Sequence, residues 1–152
     1  RTDIWKVARR VGLDHPIGGV GSQNFPIVSR QYVFASGPLQ RTDFIIDKPL
    51  PVHNTYLELW VETGIVGALL YLAIVGWCLA CGMRAARAFA QRQDLSLELL
   101  SRGVVVATMG MLAAGFFISF EHEKALWLML ALSPALLKVS RRDPAEGTFA
   151  TG

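Results

Sequence analysis

Three stretches of this 152-residue chain, 63–83, 103–120 and 125–137, contain no Asp, Glu, Lys or Arg. All 15 basic and 12 acidic residues are confined to the remainder. A water-soluble domain spreads charge over its surface. Segregation of this kind instead builds apolar helices that cross a bilayer between wet loops. As a helix, 63–83 reaches about 30 Å, the thickness of a bilayer core. The stretch 103–120 is slightly shorter. The third contains Pro134, but Lys124 and Lys138 flank it and are placed to snorkel toward the interfaces. The pattern predicts an all-α integral membrane chain with three transmembrane helices, at about 63–83, 103–120 and 123–138.

Basic residues in short loops set the orientation of such spans. The connection 84–102 carries Arg84, Arg87, Arg92 and Arg102, and the tail after the third span carries Lys138, Arg141 and Arg142. With three spans, both regions lie on one side. The turn at 121–124, on the other side, has one Lys and two Glu. This asymmetry predicts a cytoplasmic tail over 141–152 and an outer, periplasmic segment over 1–62.

The composition, 52% hydrophobic, excludes a disordered chain. The basic residues neither cluster on a soluble face nor interleave with stacking aromatics, so no nucleic-acid partner is expected. The chain opens on Arg1 without a charged-then-apolar leader, and it is read as a piece of a longer protein.

The outer segment has its own pattern. Residues 3–13 form an amphipathic helix with Ile4, Val7, Ala8 and Val11 on one face. The run from His15 to Gly21 breaks it. Residues 22–52, punctuated by Pro26, Pro38, Pro49 and Pro51, read as loop. A further helix starts near Asn54 or Thr55, capped either by Asn54 or by a Thr55-x-x-Glu58 box. Short helices followed by three spans is the expected order.

Chemistry concentrates before the first span. His53 precedes a helix N-terminus, where the dipole disfavours added positive charge, and a histidine at such an interface is a competent general base. Its bland alternative is a histidine bonded to local backbone. Glu58 and Glu62, four apart, share a helix face, as a carboxylate pair, as a site for a cation or an Arg partner, or as two solvated acids. Arg1, Lys6, Arg9, Arg10, Arg30, Arg41 and Lys48 supply positive charge suited to a phosphate-bearing lipid-linked substrate or to lipid headgroups. Gly18-Gly19-Val20-Gly21 lacks the third glycine of a dinucleotide loop and reads as a tight turn. Cys78-x-x-Cys81 lies inside an apolar span without a second pair, so it reads as packing rather than metal binding. His122, between Glu121 and Glu123, reads as part of a polar turn. Trp60, Trp77 and Trp127 read as interfacial anchors and packing residues.

His53-Asn54, nine residues, then Gly64-Ile65-Val66-Gly67 resembles the H-N-x9-G-x-x-G signature of the O-antigen ligase and polymerase family. The intervening residues 56–63 also look like that family's run. Arg1-x-x-x-Trp5 is similar to its R-x-x-x-W opening of the outer loop. Asp14-His15-Pro16-Ile17-Gly18-Gly19-Val20-Gly21, followed by Asn24-Phe25, looks like its D-H-P-x-x-G-x-G-x-x-N-F turn. The resemblance extends through about residue 140.

What the resemblance implies is a fragment of a polytopic glycosyltransferase of the C-type, all-helical bundle, in the bacterial inner membrane. Such proteins move a glycan from undecaprenyl pyrophosphate to an acceptor glycolipid such as lipid A core, or to the next repeat unit. Metal ions and other cofactors are not expected. On that resemblance His53 activates the acceptor hydroxyl. Arg1, Arg30 and Arg41 are the candidates for the pyrophosphate, and Asn54 and Glu62 complete the substrate-binding set. Membrane lipids are the remaining partners. The isolated piece is not expected to transfer glycans alone. A polymerase or exopolysaccharide-assembly enzyme shares the signature and is the nearest alternative. A transporter subunit, or an anchor that recruits other proteins, comes from a different class, although the three spans lack the intramembrane charges that transport pathways use.

Overall fold

The computed structural model describes residues 2–32, 52–119 and 123–141. Those residues form helices and turns with no strand among them. The helices are α1 (Thr2–Asp14), α2 (Phe25–Tyr32), α3 (Thr55–Gln91), α4 (Leu95–Ala114) and α5 (Lys124–Val139). The chain divides into two compact units, one of 1–73 with 112–122 and the other of 74–111 with 123–152.

In the first unit the inward face of α1 is the one its periodicity predicts. Ile4, Val7, Ala8 and Val11 are buried and close on Phe25 of α2, on Val52 and on Val61 of α3. Burial of that kind is worth about 1.5–3 kcal/mol for each larger side chain, so this cluster is what holds the outer segment against the first turns of α3. Leu57 and Trp60 flank it.

The stretch read as loop holds a helix in its described part, α2. Pro26 occupies its first turn, where a missing N–H removes no helical bond and the fixed φ suits the helix. Reading every proline as punctuation misses that position. The rest of the stretch, 33–51, lies outside the described residues.

The connections also differ from the charge pattern. Rather than a 19-residue connection at 84–102, α3 runs on to Gln91 and α4 begins at Leu95. The turn between them carries Gln93 at φ +57°. Asp94 then starts α4, its carboxylate accepting from Leu97 N–H at 3.1 Å. Arg, Glu and Leu are all good helix formers, so charge marks where a helix meets water rather than where it ends. The second predicted span ends early, at Ala114 instead of Phe120. Bonds from Gly115 N–H to Leu112 O and from Phe116 N–H to Ala113 O tighten the chain into a turn there.

Among the described residues two helices, α3 and α4, are long and apolar enough to cross a membrane, and α5, with 16 residues, is shorter. Only 28% of the most apolar window of α3 and 17% of that of α4 is buried within the chain. A soluble core helix would be mostly covered. On α3, Val66, Leu69 and Leu70 each expose 59% or more of their surface, an apolar run that water does not tolerate as a contiguous patch.

The second unit packs through small residues. Ala85, Phe89, Val104 and Leu136 form its core, and a Cβ on Gly82 would meet Val105 Cγ2 at 2.6 Å and Ser133 Oγ at 3.1 Å. Ser101 and Thr108 are buried with hydroxyls donating to Leu97 O and Val104 O, both at 2.8 Å. Small side chains that allow close helix approach are the usual means of packing in a bilayer. Cys78 and Cys81 are free and buried in this setting, as packing residues are. Trp77 and Trp127 are exposed, whereas Trp60 packs on the first unit's core.

Candidate active site around His53

His53 is held from both sides. On its N-terminal side, Val52 is fully buried in the α1–α2–α3 cluster. The Trp5 indole N–H of α1 donates to Val52 O at 3.0 Å. On the other side, Asn54 is the cap of α3. Its Oδ1 accepts from the N–H groups of Tyr56 at 3.1 Å and Leu57 at 3.0 Å. Its amide Nδ2 also donates to Phe116 O at 3.1 Å. Thr55 is therefore not the cap: its hydroxyl donates to Ile118 O at 2.9 Å. Asn54→Ala removes both the cap and the tie to Phe116, and should lower stability by about 1 kcal/mol, read as a lower thermal midpoint in detergent with helix content retained.

Between these anchors His53 adopts φ +55°. That left-handed conformation is uncommon for a side-chain-bearing residue and persists where the surroundings over-determine it. The residue is half-buried. Its ring makes no hydrogen bond to another described residue.

The segment 115–119 was not recognisable as part of this site from sequence, yet it braces the start of α3. Thr55 N–H donates to Gly115 O at 2.8 Å. Tyr56 hydroxyl donates to Leu112 O at 2.7 Å, and its ring lies 4.6 Å from that of Phe116. Ser119 hydroxyl donates to the Glu58 carboxylate. A polar residue in a short uncharged run carried no signal of its own.

Between two and three turns into α3 the two longest sequence motifs meet. Gly64 interrupts the helix at φ +67°, ψ −172°. Around this break the 15–24 turn docks through its backbone. Val20 N–H donates to Val61 O at 2.9 Å, Gly21 N–H to Glu62 O at 2.8 Å, and Ile65 N–H to Pro16 O at 2.9 Å. Helical carbonyls freed by the break thus find partners in the turn. Contact is close enough to require glycine on both sides. A Cβ on Gly19 would lie 2.4 Å from the carbonyl of Glu62, and one on Gly64 would lie 2.0 Å from Ile17 O. The glycines of the two motifs are thus one structural feature, a backbone-to-backbone joint.

Glu62 is buried and fastens the same joint, its Oε2 accepting from Gln23 N–H at 2.8 Å. Glu58 is buried too, so neither carboxylate is a solvated surface acid, and their described partners differ. Near the turn, Tyr32 hydroxyl lies 3.5 Å from His15 Nε2. Burial raises the Tyr32 phenol above its ordinary range, and the charge of Asp14 and a hydrogen bond to it add to the effect.

Of the predicted substrate-binding residues, Arg30 is exposed in the last turn of α2. Arg1 and Arg41 lie outside the described residues, as does His122. Asn54 and Glu62 are found in supporting roles on either side of the first turns of α3. Among the described residues no group of three or more His, Cys, Asp or Glu is placed to hold a metal ion.

Residues 1–72 match the family described as O-antigen ligase. No curated protein and no solved structure matches the chain. The match ends short of the residue-140 limit drawn from the motifs, but it contains all of them: Trp5, the 14–25 turn, His53-Asn54 and the two glycines at 64 and 67. Together with two helices able to cross a bilayer, it points to a membrane protein. Over residues 1–72, then, a little under half of its length, this chain is similar to the O-antigen ligase family.

Proposed function

We propose that the protein is an O-antigen ligase-like glycosyltransferase of the bacterial inner membrane, moving a glycan from undecaprenyl pyrophosphate to an acceptor glycolipid such as lipid A core. The observation that carries this reading is His53, set at φ +55° between a buried valine and a helix cap, with no described partner for its ring. In the reaction the acceptor hydroxyl attacks C1 of the donor sugar, forming the new glycosidic bond as the bond from C1 to the pyrophosphate oxygen breaks. His53 takes the hydroxyl proton, and arginines of the outer segment neutralise the departing pyrophosphate. Direct displacement inverts the anomeric carbon. Asn54 and Glu62 serve the site by fixing the backbone on either side of it. Arg30, Arg41 and Arg1 are the candidate clamps.

The topology that fits is the one the charge pattern predicts. Residues 1–62 are periplasmic, α3 and α4 cross the membrane, and α5 makes a third, short crossing within a C-type bundle. Lys124 and Lys138 at the ends of α5 reach the interfaces by snorkelling. The turn at 92–94 and the C-terminal tail are cytoplasmic.

The test is reconstitution of the full-length protein in proteoliposomes with an undecaprenyl-pyrophosphate-linked glycan and lipid A core. Appearance of the glycan on the core lipid supports the ligase. Longer lipid-linked chains without core transfer assign the protein to the polymerases of the family, and an unchanged glycan overturns the glycosyltransferase reading. Within the same assay, Arg30→Lys and Arg41→Lys keep the charge but lose the bidentate fork. At least one of them should lower transfer by about 10-fold or more; full activity in both removes these two positions from the clamp.

A further inference from the structure

The second unit contains an open groove of about 350 Å³ lined by Met83, Ala86, Arg87, Arg102, Val105 and Val106. Its lining divides along the sequence of the two helices. Arg87 on α3 and Arg102 on α4 stand at the end of the groove nearer the 92–94 turn in sequence. Met83, Val105 and Val106 come from the neighbouring turns on the apolar side, where the uncharged stretches 63–83 and 103–120 begin. Two arginines therefore stand where both helices pass from charged to uncharged sequence, with apolar lining residues on the uncharged side. Met83 and Val106 expose 47% and 68% of their surface.

From this geometry we infer that the groove binds one anionic phospholipid of the leaflet at the 92–94 turn. The phosphodiester lies between Arg87 and Arg102, and an acyl chain follows Met83, Val105 and Val106. Charge complementarity and the graded lining both select this ligand over a neutral lipid or a free anion. A choline headgroup carries a cation beside its phosphate, and inorganic phosphate gains nothing from the apolar lining. Arg87 is exposed, with no ion-pair partner among the described residues. Arg102 binds Glu98 through Nε at 2.9 Å and through one terminal nitrogen at 2.8 Å. A guanidinium has five N–H donors, so donors remain for a phosphate. Basic pockets between spanning helices favour anionic headgroups for this reason. The inference rests on the membrane reading of α3 and α4 and is independent of glycan transfer.

The experiment places the full-length protein in nanodiscs of equal parts phosphatidylglycerol and phosphatidylcholine, then counts the lipids retained on the released protein by native mass spectrometry. The wild type should retain one phosphatidylglycerol with a preference of roughly 10–30-fold, as expected for two arginines near a membrane surface. Arg87→Gln with Arg102→Gln should bring the two lipids to parity. Should that double variant misfold by circular dichroism, Arg87→Gln alone, on an exposed residue, carries the test and should lose most of the preference. Glu98→Gln, which frees Arg102, should keep or raise the preference. Arg84→Gln, a neighbouring charge outside the groove, should leave most of it in place. Equal retention by the wild type, an Arg84→Gln loss as large as that of the double variant, or displacement by millimolar inorganic phosphate would each overturn the site. A wild type that does not float with liposomes at all overturns the membrane reading beneath it, which separates that failure from failure of the groove.

Discussion

Replacing His53 with alanine should lower glycan transfer by about 10²–10⁴-fold, the usual contribution of a positioned general base, while membrane insertion and helix content should stay at wild-type levels. The structure supplies the reason to expect loss of chemistry without loss of fold. The backbone at His53 is held by its neighbours, through burial of Val52, the Trp5 bond to Val52 O and the Asn54 cap. The imidazole itself holds nothing described in place. His53→Asn is the sharper variant, because Asn tolerates the left-handed conformation at φ +55° at low cost yet cannot accept a proton at neutral pH. Transfer should fall as far in this variant as in His53→Ala, with an unchanged melting temperature. An Asn variant that works at the wild-type rate would remove His53 from the chemistry.

The second large effect is structural. Gly64→Ala should destabilise the protein by about 3 kcal/mol or more, through two mechanisms that add. The conformation φ +67°, ψ −172° belongs to a region that only glycine occupies readily. The added methyl would also fall 2.0 Å from Ile17 O, against backbone rather than a side chain that can turn away. The joint with the 15–24 turn then opens, releasing the three backbone bonds from Val20, Gly21 and Ile65. Thermal denaturation in detergent measures the loss, and limited proteolysis should show new cleavage within 15–24. Gly76→Ala is the matched control. It lies in the same helix with nothing within 4 Å of an added Cβ, so it should be neutral or slightly stabilising, since alanine is the better helix former. Equal melting temperatures for the two variants would show that the joint does not support the fold.

These two predictions separate the parts of the family signature. His53 is the position proposed for the chemistry, whereas Gly64 belongs with Gly19 to a docking surface. A motif written along the sequence does not distinguish them, because both appear only as required residues at fixed spacing. In space, nine residues of helix carry the chain from the turn at His53 to the glycine joint. The joint fastens the outer segment to α3, and the outer segment's own Trp5 reaches back to the residue before His53.

Apolar periodicity and charge segregation alone determined that the chain is helical, that α1 buries Ile4, Val7, Ala8 and Val11, and that 63–83 lies in a helix able to span a bilayer. These follow from local physics: the repeat of side chains around a helix, and the exclusion of charge from hydrocarbon. The turn at Gly18–Gly21 and the cap at Asn54 or Thr55 were legible for the same reason, as short-range backbone chemistry. Helix ends were less so. The charges at 84–102 marked an interface while α3 and α4 continued through most of it, and Pro26 opened α2 instead of preventing it. Only the structure decided that Asn54 rather than Thr55 is the cap, since Asn54 Oδ1 accepts the N–H groups of Tyr56 and Leu57 while the Thr55 hydroxyl donates to Ile118 O, 63 residues away. It alone joined the 15–24 turn to Gly64 and brought 115–119 to the start of α3. Those contacts are between backbone groups or single polar side chains far apart in sequence, and such partners leave no periodicity behind for a reading of the chain to find.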